Sequence, residues 1–150
     1  MKTHLSRAMR PEGHLAEAYW RMRLGELGAA CCISEPAGEA DRIREAFDLL
    51  MLAPSGLLAR LSHTASEKSI KAMLAAGAFE SAALTLLPQG AGYMLSRGAS
   101  GEHLASIFLA HSECEMTANG STAALALVAA LTTELSHGQT AGALHASSLN

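Results

Sequence analysis

Three side chains in the C-terminal third are of types that bind soft metals: His103, His111 and Cys114. Imidazole nitrogen and thiolate sulfur suit zinc, and His111 and Cys114 stand in an H-x-x-C spacing. His103 shares strand parity with His111, but eight residues of straight strand span about 26 Å, too far for one ion. A structural zinc takes four ligands. His4, His14, His63, His137 and His145 show no paired spacing that would supply the rest. No metal site is expected.

Nucleophilic chemistry has little more to work with. Ser96, Ser100 and His103 cluster around a glycine-bounded segment, and a serine beside a histidine can be activated. The only aspartates, Asp41 and Asp48, fall in a helical stretch, and no G-x-S-x-G elbow is present. Hairpin loops are serine-rich for turn chemistry alone. Glu113 and Glu115 alternate onto one face of a short extended run, as acid–base pairs do. On an edge strand such carboxylates chiefly repel incoming strands. Gly90-Ala91-Gly92 and Gly98 to Gly101 lack the lysine and spacing of a phosphate loop. No catalytic residue and no cofactor is expected, and the chain reads as a non-enzyme.

Charge is unevenly spread. Lys2, Arg7, Arg10, Arg21 and Arg23 make the start basic, while no Lys or Arg follows Arg97, and the net charge is −3. Gripping phosphates requires cations, so any nucleic-acid contact falls to Arg7, Arg10, Arg21 and Arg23. A helix-turn-helix over residues 66–87 would need its second helix to read the groove. That helix carries Glu80 and no base. The cysteines, Cys31, Cys32 and Cys114, are odd in number and sparse, which points to a reducing, cytoplasmic setting. Neighbouring Cys31 and Cys32 read as small core residues. Residues 1–14 lack the apolar core of a leader peptide. The longest apolar run, Ala123 to Leu131, is too short to span a membrane.

The elements that must hold these residues follow from periodicity. Apolar residues make up 49% of the 150 and aromatics 4%, a composition of Ala/Leu helices. Pro11 to about Ala30 predicts a helix with Leu15, Tyr19, Met22, Trp20, Leu24 and Leu27 on its apolar side, its end weakened by Gly25 and Gly28, the latter a candidate stop. A second helix spans about Glu39 to Leu52, with Ile43, Phe47, Leu50 and Met51 on one face. Ser55 starts a short helix carrying Leu57, Leu58 and Leu61. Ser66 caps another, with Ile70, Met73 and Leu74 buried and Gly77 as its end. Phe79 to Leu87 continues as helix until Pro88-Gln89-Gly90.

After Gly90 the period changes to two. Tyr93 and Leu95 alternate with Gly92, Met94 and Ser96. His103 to His111 forms a second run whose two sides are both apolar, as in a strand covered on both faces, and Gly98-Ala99-Ser100-Gly101 is a hairpin loop between them. A third strand is placed at Glu113 to Thr117. A last helix, capped by Ser121 or Asn119, runs to about Ser136 on a stripe of Leu125, Val128, Leu131 and Leu135.

The fold class is therefore α+β: a helical N-terminal half, then a small α-β-β-(β)-α antiparallel-sheet unit whose strands rest one face on two helices. The expected division is a helical region over 1–77, the sheet unit packed with it over 78–137, and a flexible tail over 138–150. The segment from Phe79 to Leu135 resembles small phage-type α-β-β-β-α sandwich domains. It is also similar to the sheet-and-helix part of HicB-type antitoxins. The likeness lies in the meander followed by Asn119-Gly120-Ser121-Thr122 and Ala123-Ala124-Leu125-Ala126. It implies a bacterial or phage setting and carries over no functional residue.

The apolar excess of the second strand and the last helix predicts a non-catalytic interaction or assembly protein that pairs with itself or with another protein. Leu104, Phe108, Leu125, Val128 and Leu135 are the interface candidates. The alternative is an antitoxin-like or DNA-associated regulator using the basic N-terminal segment.

Overall fold

The computed structural model describes residues 16–54, 65–110 and 112–137. Helix α1 (Glu17–Ile33) is followed by a 3-10 turn (Pro36–Gly38) and α2 (Glu39–Met51), then α3 (Glu67–Ala75), α4 (Phe79–Thr85), strands β1 (Gly92–Arg97), β2 (His103–Phe108) and β3 (Met116–Gly120), and α5 (Ala123–His137). The α+β class is as expected. The start at Pro11, the short helix at Leu57 to Leu61, His111 and the tail lie outside the described residues.

Local signals set most of the boundaries. Ser66 accepts a hydrogen bond from the Ser69 N–H, and Ser69 accepts one in return from the Ser66 N–H, a capping box at the start of α3. Its end is a Schellman turn. Gly77 adopts positive φ, its N–H donates to the Leu74 carbonyl, and the Ala78 N–H donates to that of Met73.

Helix α1 does not stop at Gly28 but runs five residues further. Its buried stripe is Trp20, Leu24, Leu27 and Cys31, and Met22 is exposed. Gly28 marks a close helix crossing: a Cβ there would lie 2.5 Å from Thr133 Oγ1 and 3.0 Å from Thr132 Oγ1 of α5. Trp20 fixes α1 to α2 by donating from Nε1 to the Leu49 carbonyl at 2.7 Å.

The strands form an antiparallel meander in the order β1-β2-β3. Opposed residues share a face. Tyr93, Ile107 and Met116 lie on one side with Leu95, Ala105 and Ala118; Met94, Ser106 and Thr117 lie on the other with Ser96, Leu104 and Asn119. The first side is the inner one, where Ala105 and Ile107 are fully buried. Strand β2 is central, as expected, but covered on one face only.

The third strand begins at Met116, three residues later than expected. Glu113, Cys114 and Glu115 therefore precede it and do not alternate along it. Asn119 and Gly120, which read as turn residues, end the strand. The cap of α5 is Thr122, whose Oγ1 accepts from the Leu125 N–H at 3.1 Å, in place of Ser121 or Asn119. Ser121 instead donates to the Ser34 carbonyl at the end of α1.

Helix α5 is the centre of the molecule. It packs against β2 and β3 on one side and against α1, α2 and α4 on others, and every residue from Ala124 to Thr132 is buried. A helix that is apolar all round belongs inside a protein. Alanines at 124, 126, 129 and 130 let several neighbours approach at once. The sheet rests chiefly on this one helix, and α4 packs on α2, α3 and α5. One continuous core joins Trp20 and Ile43 of the N-terminal helices to Ile107 and Leu135.

Candidate functional site

Ser96 and His103, weighed together in the sequence for nucleophilic chemistry, fall on opposite faces of the sheet. His103 pairs with Arg97 on the inner face, whereas Ser96 pairs with Leu104 on the outer face, so the sheet separates the serine from the histidine. The Ser100 hydroxyl donates to the Glu102 carboxylate, a bond that holds Glu102 below the ordinary carboxylate range. Among the described residues, no group of three or more His, Cys, Asp or Glu side chains is placed to hold a metal ion.

The cysteines differ in environment. Cys31 is fully buried in α1, Cys32 half-buried and Cys114 exposed, and all three are free thiols. Burial pushes the Cys31 thiol from 9.0 up to about 12, against the opposing pull of the Arg42 guanidinium. Only the thiolate attacks, so a thiol reagent at neutral pH is expected to label Cys114 and to reach Cys31 only on unfolding. The same shift predicts a pH effect. The native state keeps a proton that the unfolded chain releases, so this contribution is whole below the unfolded thiol's value and declines as pH rises toward about 12. Urea melts from pH 8 to 11 should show a loss approaching about 1.4 kcal/mol per pH unit above the unfolded thiol's value. That component is absent in Cys31→Ala.

Of the basic residues named for nucleic acid, Arg7 and Arg10 lie outside the described residues. Arg21 is occupied: it pairs with Glu17 at 3.0 Å, donates to the Leu135 carbonyl and lies 5.8 Å from the Trp20 ring centroid. Arg23 is exposed and pairs with Glu26 at 2.8 Å. A shallow groove of about 560 Å³ between α1 and α2 is lined by Arg23, Glu26, Arg42, Glu45 and Asp48. Its arginines are each paired with a glutamate, Arg42 to Glu45 at 3.2 Å. The groove therefore offers no excess of positive charge to an anion.

The interface candidates divide. Leu125, Val128 and Leu135 are inside the core, beneath the sheet and against α1, so the apolar excess of α5 is used within the chain. Leu104 and Phe108 lie on the outer face of β2. That face also carries Met94, which is 57% exposed, while Phe108 is 39% exposed. No described element covers it. Ser106 and Thr117 share a hydroxyl hydrogen bond of 2.7 Å across it. Met94 and Tyr93, missed as surface residues in the sequence, carried one signal: an alternating strand in which both sides hold a large apolar side chain.

Comparison with protein-family models, with curated proteins and with solved structures returns no match. Among the described residues, no helix is long and apolar enough to cross a membrane.

Proposed function

We propose that the chain is a non-catalytic interaction or assembly protein that acts as a homo-oligomer. The observation carrying this reading is the uncovered outer side of the meander, where Met94 and Phe108 expose much of their apolar surface beside Leu104. A sheet normally hides one face in its own core and presents polar residues on the other. Here the second face mixes Ser96, Ser106, Thr117 and Asn119 with large apolar side chains, the mixture found at surfaces that alternate between water and a partner.

Light scattering and sedimentation velocity of the full chain test it. A concentration-dependent species heavier than the monomer is expected at micromolar concentration. Met94→Ser with Phe108→Ser should weaken it while leaving the far-ultraviolet spectrum unchanged. A strict monomer throughout would overturn self-association.

A further inference from the structure

We propose that β1 is a dimerisation edge, pairing antiparallel with β1 of a second copy, with Leu95 at the two-fold axis. The inference rests on the self-association reading and places a contact at the β1 edge, beside Met94 of the outer face.

The direction of the backbone groups comes from the hairpin. The Gly98 N–H donates to the Glu102 carbonyl at 2.8 Å, and the Gly101 N–H to the Gly98 carbonyl at 3.0 Å, with Gly101 at positive φ. This is a three-residue loop closed by a glycine bulge. It sets the phase of the ladder, in which bonded and non-bonded pairs alternate. Ser96, Met94 and Gly92 turn their N–H and C=O groups toward β2. Tyr93, Leu95 and Arg97 turn theirs outward, where the described sheet has no further strand.

The two edges of the sheet are unlike. Glu113 and Glu115 stand directly ahead of β3, charges that repel an incoming strand. Strand β1 has no proline, no bulge and no acid within it, and its one charge, Arg97, is terminal. Among the described residues it is an unpaired edge of the kind that proteins ordinarily protect.

Face geometry selects a second copy of β1 as the occupant. Tyr93, Leu95 and Arg97 lie on the inner face, so joining two such edges about an axis normal to the sheet keeps both sets of helices on one side. Helix α5 sits chiefly under β2 and β3; Leu95 packs against the core, while Tyr93 at the start of the strand is 46% exposed, so among the described residues that end of β1 is accessible to a second copy. On β3 the outward-pointing backbone belongs to Thr117 and Asn119, which face the opposite side. Pairing β1 antiparallel with β3 of another copy would therefore place the helices on opposite sides of the sheet.

Charge sets the register. With Leu95 opposite Leu95, each Arg97 lands beside the partner copy's Tyr93 ring, a cation–π arrangement, and the two arginines are at opposite ends. Met94 then faces Ser96 across the outer side. All three outward residues of each copy are paired.

Two experiments on the full chain decide the matter. Tyr93→Pro removes an outward N–H while leaving the β1–β2 bonds, which are carried by Gly92, Met94 and Ser96. It is expected to weaken dimerisation by at least about tenfold with an unchanged circular-dichroism spectrum. In a background with Cys32→Ser and Cys114→Ser, Met94→Cys chains mixed with Ser96→Cys chains and oxidised should give a cross-linked dimer in higher yield than either alone. The cross-link decides the outcome where Tyr93→Pro fails to fold. A dimer that survives Tyr93→Pro and does not cross-link overturns the β1 pairing and leaves self-association standing. A monomeric parent chain overturns both.

Discussion

Replacing Gly120 by Ala is expected to lower the stability by about 3 kcal/mol, read as a fall in the urea midpoint with little change in slope. Gly120 ends β3 directly over the first turns of α5. A Cβ there would lie 2.6 Å from the Ala126 nitrogen, 3.0 Å from the Leu125 carbonyl carbon and 3.1 Å from the Ala126 Cα. These are backbone atoms of a helix buried on all sides, so relief requires moving the strand or the helix. A strand glycine often marks a place where another backbone approaches this closely. Gly28 is the informative contrast. A Cβ there meets the hydroxyls of Thr133 and Thr132 at comparable distances, but Thr133 is only half-buried and can turn. Replacing glycine by alanine inside a helix also gains about 1 kcal/mol of helix preference. Gly28→Ala should therefore cost much less than Gly120→Ala. Equal losses at the two positions would show that the close approach of β3 to α5 is not what makes Gly120 necessary.

Trp20→Ala is expected to cost about 3–5 kcal/mol, a large part of the stability of a domain of this size. The ring is fully buried and its Nε1 is bonded to α2, and its removal leaves a cavity that the packed helices cannot close. Trp20→Phe separates volume from hydrogen bonding. It keeps an aromatic ring but removes the donor to the Leu49 carbonyl, which still accepts from the Leu52 N–H at 3.1 Å. A loss of about 1–2 kcal/mol is expected, because the carbonyl retains that second partner. Calorimetry or urea melts of the three proteins check the order. A Trp20→Ala variant within about 1 kcal/mol of the parent would show that the α1–α2 contact contributes little to the fold.

Much of the architecture could be read from residue order, where a local signal acts alone. Ser66 and Gly77 bracket α3 as expected, because caps and left-handed turns depend on a few adjacent atoms. The switch of period after Gly90 gave β1, β2 and their loop. The failures occur where local and distant forces conflict. Gly28 resembles a helix stop, but contact with α5 carries α1 past it. Asn119-Gly120 resembles a turn, but Gly120 is used for close packing, which displaced β3 and the helix cap. The candidate surface shows the same limit. An interface and a core have the same apolar pattern in sequence, so Leu125 and Phe108 could not be told apart until the neighbours of each were known. Met94 was readable as a strand residue, while its exposure depended on which side α5 would take.

The position of α5 also constrains biosynthesis. The helix that fills the middle of the core is the last described element in chain order. A nascent polypeptide that has emerged only through Arg97 has made α1, α2 and α4 without the segment against which they pack. Those helices then lack Ala124 to Leu135, which complete the core they share with Trp20, Leu24 and Ile43, so that core closes only after α5 has been made. Truncation before Ala123 therefore removes the surface on which α1, α2, α4, β2 and β3 all pack.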